Sequence, residues 1–134
     1  MSDELTLLQA MTQLWEPVGS RVTCSPIPET ADHDVFCLLN EGEDMGKFVS
    51  EAEKASFTYG GSHVEDKEQV ELSFVSLRRS SDQLNIIATR SKVFADRFLL
   101  ATYVCKYLNV LVKEHRIVIF QAILYGKKWT PATG

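Results

Sequence analysis

Val18-Gly19-Ser20-Arg21, followed a dozen residues later by Ala31-Asp32-His33-Asp34-Val35-Phe36-Cys37-Leu38-Leu39, is the stretch around which the rest of the chain arranges itself. The apolar run from His33 to Leu39 reads as a strand that begins at its two acids. Carboxylates at i and i+2 leave the same face of a strand, close enough to share a divalent cation. A Gly-Ser step upstream can offer backbone N–H groups and a hydroxyl to a phosphate, and glycine lets backbone approach that phosphate closely. Between the two lies Ser25-Pro26-Ile27-Pro28-Glu29-Thr30. Proline lacks the ladder donor, so this segment reads as a loop joining two strands.

Outward from that centre, Ser2 or Asp3 is placed to cap a first helix reaching about Trp15, with Leu5, Leu8, Met11 and Trp15 on one stripe. Pro17 and Gly19 are expected to end it, and residues 18–24 read as a short strand. After the His33–Leu39 strand, Asn40-Glu41-Gly42 is a turn. Glu43 to about Ala55 follows as a helix with Met45, Phe48, Val49 and Ala52 inward. Gly60-Gly61 opens a polar loop reaching about Lys67. Val70, Leu72 and Phe74 alternate, and Val75 and Leu77 continue on the other parity, as in a long strand with a bulge or with both faces covered. Ser80-Ser81-Asp82-Gln83 turns the chain, and Leu84 to Thr89 returns antiparallel. Two helices finish it: Val93–Leu108, with Phe94, Phe98, Thr102 and Cys105 near one face, and Lys113–Tyr125, burying Ile117, Phe120 and Leu124. Gly126 is placed to stop the second. The order α-β-β-α-β-β-α-α is that of a mixed α/β (α+β) domain covering residues 1–134, with a loose tail from about residue 127.

The 134 residues are 45% apolar and 24% charged, which suits one soluble domain with a real core. No apolar stretch approaches the ~18 residues needed to span a bilayer, and the acidic start Met1-Ser2-Asp3-Glu4 is unlike a secretory signal. Cys24, Cys37 and Cys105 are odd in number and far apart, matching neither a disulfide framework nor a zinc site. A cytoplasmic location without membrane attachment is the expectation. Charge divides sharply along the chain. Residues 1–77 hold 15 acids and 4 bases, a balance of −11, and residues 78–134 carry a balance of +7, together giving the net −4. A metal-binding acidic half beside a phosphate-binding basic half suits a nucleotide enzyme; the plainer alternative is solvated faces on both halves.

Other residues carry less. His33 should point away from the acids that flank it, His63 sits in a polar loop, and His115 begins a charged helix. Ser20, Ser62 and Ser76 lack nucleophile-elbow surroundings. No GxxxxGK[ST] or GxGxxG phosphate loop occurs. Phe94 and Phe98, at i and i+4, read as core rather than as a base-stacking platform.

The arrangement of a helix, a Gly-Ser strand and a DxD strand resembles the polymerase-beta-like nucleotidyltransferase superfamily, specifically its minimal members. Phe74-Val75-Ser76-Leu77-Arg78-Arg79, Leu84-Asn85-Ile86-Ile87, Asp96-Arg97-Phe98 with Ala101-Thr102, and Arg116-Ile117-Val118-Ile119-Phe120-Gln121-Ala122-Ile123-Leu124-Tyr125-Gly126 are similar to small phage-encoded members. The resemblance runs from about Trp15 to Gly126. It implies that Asp32 and Asp34 hold Mg²⁺ (or Mn²⁺) and that Gly19 and Ser20 bind the phosphates of a nucleoside triphosphate. Arg21 or Arg79 would neutralise further charge. It also implies transfer of a nucleotide to a hydroxyl on an unknown acceptor, a host protein or an RNA, in the host cytoplasm. One feature of the pattern differs. The strand expected to supply a third acid offers the amide of Asn85, a weaker metal ligand than a carboxylate, and Glu71 is the candidate substitute. An alternative follows from that difference and from the acidic first half. The same fold, catalytically silent, would bind and inhibit a host factor.

Overall fold

The structure is a computed structural model that describes residues 3–29, 31–63 and 73–126. Its elements are α1 (Asp3–Ala10), β1 (Thr12–Val18), α2 (Ser20–Thr23), β2 (His33–Leu39), α3 (Met45–Lys54), β3 (Thr58–His63), β4 (Phe74–Arg79), β5 (Leu84–Thr89), α4 (Lys92–Leu108) and α5 (Lys113–Tyr125). The five strands form one mixed sheet in the order β1-β2-β5-β4-β3. β2 and β5 run parallel, and the other neighbours are antiparallel.

β2 is covered on both faces, which is why it reads as an almost unbroken apolar run. Val35, Cys37 and Leu39 join Leu77, Ile86 and Ala88 against Leu8 of α1 and Phe48 and Ala52 of α3. Phe36 and Leu38 point the other way, toward Phe94 of α4 and Leu124 of α5. There Phe36 stacks on Phe98 at 4.4 Å between centroids, and Phe120 meets Phe98 edge-on at 5.0 Å. Phe36, Phe48 and Phe94 are fully enclosed, each contributing about 1.5–3 kcal/mol of apolar burial. Phe94 and Phe98 are therefore core, as their spacing indicates.

The N-terminal region differs from the sequence expectation. The first helix stops at Ala10 rather than near Trp15, where the Met11 N–H closes a turn on Leu8 O and Thr12 Oγ1 donates to Gln9 O at 2.8 Å. Residues 12–18 are instead the edge strand β1, and Trp15 lies opposite Cys37 in the sheet. Pro17 ends no helix; it sits on an edge strand, where a missing N–H is tolerated. The strand expected over residues 18–24 is likewise replaced. Val18 ends β1, Gly19 at φ +79° turns the chain, and Ser20–Thr23 coil into α2.

β3 is the other difference. Gly60-Gly61 opens no loop but lies inside a strand, where the pairing with β4 shifts register between Tyr59 and Ser62. Gly61 has φ +104°, and a side chain at Gly60 would run into Ser76 Oγ, so the pair supplies a bulge and a close strand contact. The Val70–Leu72 start of the long strand, the loop to Lys67, Glu71, Thr30, the Ser2 cap and the tail from residue 127 lie outside the described residues. Helix α3 begins at an Asp44 cap whose carboxylate accepts from Gly46 N at 3.2 Å. α4 begins at a Ser91 cap that accepts from Phe94 N. Cys24, Cys37 and Cys105 are all buried free thiols, and burial pushes the Cys37 and Cys105 thiols up. Among the described residues, no helix is long and apolar enough to cross a membrane.

Candidate functional site

The site forms where β1 ends and β2 begins. Val18 pairs with Asp34 across these strands, so Gly19, one residue further, arrives directly against the Asp34 carboxylate. A Cβ on Gly19 would overlap Asp34 Oδ2. Glycine is thus required twice over, by its positive φ and by the space the carboxylate takes. Ser20 follows as the first residue of α2. Arg21 Nε donates to Ala31 O at 3.2 Å, tying α2 to the residue before Asp32. The two-proline loop is anchored as well: Ser25 N donates to Asn109 Oδ1, and Asn109 Nδ2 to Ser25 O, each at 3.0 Å.

Strand register extends the site across the sheet. Asp34 stands opposite Asn85 of β5, and Asn85 opposite Arg78 of β4. Asn85 Nδ2 donates to Asp34 Oδ1 at 3.0 Å and to Asp32 Oδ2 at 3.2 Å, so one amide nitrogen marks the point on which both carboxylates converge. Arg78 Nε donates to Asn85 Oδ1 at 3.1 Å, which fixes the amide with its nitrogen toward the acids. Asp34 is half-buried, and burial holds its carboxyl above the usual carboxylate range. The Asn85 hydrogen bond opposes this, the Asp32 charge adds to it, and the Arg78 and His33 charges oppose it.

A cleft of about 460 Å³ opens over this point, lined by Gly19, Ser20, Asp32 and Asp34 on one wall and by Lys113, Arg116, Ile117 and Phe120 of α5 on the other. The basic second half of the chain meets the acidic first half here. Arg116 is braced by Nη1, which donates to Val110 O and Leu111 O at 2.9 Å and to Cys24 Sγ at 3.3 Å. Lys113 is exposed. Ile117, expected in the core, is 45% exposed and faces this cleft instead. On the far side of Asn85, a groove of about 410 Å³ runs over Arg78, Ser76, Gly60 and Thr58.

Four of the sequence-derived site residues, Gly19, Ser20, Asp32 and Asp34, therefore line one cleft. Arg21 lines a neighbouring cleft of about 600 Å³ that also reaches Asp34 and the exposed His33. Arg79 is placed elsewhere: Nε and Nη2 grip Asp82 at 3.1 and 2.7 Å, Nη1 donates to Ala55 O at 3.0 Å, and the guanidinium covers the Phe57 ring. Alternation along β4 puts Arg79 on the α3 face and Arg78 on the site face. Glu71 lies outside the described residues. Arg78, Lys113 and Arg116 are the site neighbours that pattern alone does not select, because the register of β4 and the docking of α5 bring them in.

Two carboxylates converging on one point suit Mg²⁺, which is held by one or two carboxylates while phosphates and water fill its remaining positions. Among the described residues, no group of three or more His, Cys, Asp or Glu side chains is placed to hold a metal. No protein-family model matches the chain, and no curated protein matches it.

Proposed function

We propose that this chain is a metal-dependent nucleotidyltransferase that moves a nucleotide from a nucleoside triphosphate to a hydroxyl acceptor. The observation that carries the reading is the contact of the Gly19-Ser20 turn with Asp34 at the floor of a cleft whose opposite wall is basic. Asp32 and Asp34 would hold Mg²⁺ or Mn²⁺, which when bound neutralises the phosphates and orients them. Ser20 offers its hydroxyl to a terminal phosphate, and Gly19 allows the approach. Lys113 and Arg116 supply positive charge on the facing wall, the arrangement that favours charge developing on a departing pyrophosphate. Arg78 and Asn85 hold the two carboxylates in register. The groove over β4 and β5 would seat an acceptor, on a host protein or an RNA, beside Asn85, the residue that bonds both acids.

Melting curves test this reading. Mg²⁺ with ATP or another triphosphate should raise the melting temperature where neither does alone, and Asp32→Ala should remove the shift. A shift without metal, or one retained in Asp32→Ala, overturns it.

One observation favours the second reading, a silent fold that binds a host factor after phage infection. Asn85 already satisfies both acids with hydrogen bonds, and Arg78 backs it. Recovery of one stoichiometric host protein in a pull-down, unaffected by Asp32→Ala, together with no nucleotide-dependent shift, would select that reading.

A further inference from the structure

Helix α4 is apolar on two opposite faces. Phe94, Ala95, Ala101, Thr102 and Cys105 are buried against the sheet and α5. The other face carries Val93 (49% exposed), Leu100 (54%), Tyr103 (51%) and Tyr107 (90%). Val93, Leu100 and Tyr107 recur at intervals of seven, the spacing that keeps one seam of a helix facing a partner helix. A solvated helix face normally carries polar residues, and an apolar stripe of this kind marks an interaction surface.

We propose that α4 is the seat of a two-fold dimer, packing antiparallel on α4 of a second copy with Leu100 at the axis. Area and charge both select a second copy. The four side chains of the stripe, 49% to 90% exposed, offer roughly 500 Å² per copy, more than half of the ~800 Å² per partner of a standard interface. About Leu100, Val93 meets Tyr107 of the other copy, so each small residue faces a large one. Asp96 lies within the stripe near one end and Lys106 beside it near the other. Antiparallel packing sets Asp96 opposite position 104 of the other copy, two residues or about 3 Å along the axis from that copy's Lys106 and within reach of its long side chain, twice by symmetry, whereas parallel packing sets Asp96 against its own image. The exposed Lys92–Asp96 pair at 3.2 Å leaves that carboxylate free to exchange partners. The stripe is separate from the Asp32–Asp34 cleft, so the dimer stands whatever that cleft does.

Sedimentation equilibrium across a micromolar concentration series tests it. The full-length protein should have the mass of two chains. Leu100→Glu, which sets two carboxylates face to face, and Tyr107→Glu should each weaken association at least tenfold while melting as folded domains. Asp96→Lys should weaken it too, and Asp96→Lys combined with Lys106→Glu should restore it. A monomer throughout the series overturns the proposal and leaves the stripe to a different partner. A dimer unmoved by Leu100→Glu and Tyr107→Glu overturns it equally, since it must use another surface.

Discussion

Gly19 lies against the Asp34 carboxylate so closely that no side chain fits between them, and its φ of +79° is one that L-residues rarely adopt. Gly19→Ala should therefore cost about 1–3 kcal/mol of stability from the strained backbone alone. It should also displace Asp34 and weaken metal-dependent triphosphate binding more than tenfold. Ser20→Ala, which adds no atoms, should leave the melting temperature nearly unchanged and weaken binding only severalfold. Denaturant melts beside binding isotherms for the two variants separate these effects, and equal losses in both would contradict the close-packing account.

Asn85 holds the two acids through a single nitrogen. Asn85→Asp replaces that donor with a third negative charge, so the folded protein should lose about 1–2 kcal/mol at neutral pH without metal. Mg²⁺ should then restore stability to the variant, and raise its melting temperature more than that of the parent protein. A variant that melts early and does not respond to Mg²⁺ would show that the acids do not converge on a cation position.

The direction of the Asp34 shift sets a pH dependence. Its carboxyl is held above the ordinary value, chiefly by burial, so within that window the folded state binds the proton more tightly than the unfolded state. Stability from this group is present below the unfolded value of about 3.8 and is lost as pH rises through the higher folded value. Asp34→Asn, which keeps an acceptor for Asn85, should be more stable than the parent at pH 7. The gap should close as the solution is acidified. Melting temperatures from pH 3 to pH 7 check both the sign and the closing of the gap.

Arg79 braces the fold rather than the cleft. Arg79 is 9% exposed, and its guanidinium joins Asp82, Ala55 O and the Phe57 ring. Arg79→Ala should cost on the order of 2–3 kcal/mol and leave triphosphate affinity unchanged in the folded fraction. Arg78→Ala should do the reverse, melting near the parent temperature while altering binding. The Asp82 carboxyl is drawn below the ordinary range by Arg79, so the contribution of this pair should fade as pH falls through that lowered value.

The parts of the fold legible in sequence are those where local pattern and tertiary burial agree. β2, β5, α3, α4 and α5 fall close to their expected places because apolar spacing acts within a few residues. The mixed α/β class follows from them. β1 was obscured by Pro17, whose stop signal for a helix is equally an edge-strand residue, a choice made only by pairing with β2. β3 was obscured by Gly60-Gly61, since a glycine pair reads as a turn until a neighbouring strand makes it a bulge. Four site residues follow from spacing along one strand–turn–strand unit. Asn85 stands beside the acids as the resemblance implies, whereas Arg78 joins them only through sheet register, and Lys113 and Arg116 only through the docking of α5. Arg78 and Arg79 are neighbours in sequence, yet the strand sends one to the site and the other to the core.

The most direct test of the central claim is calorimetric titration of a non-hydrolysable nucleoside triphosphate into the protein, with and without Mg²⁺ or Mn²⁺, for the parent chain and Asp34→Ala. The account predicts binding heat only in the presence of metal, at one site per chain, and its loss in Asp34→Ala. Heat that ignores the metal or survives Asp34→Ala, or no heat in the parent chain, would contradict it.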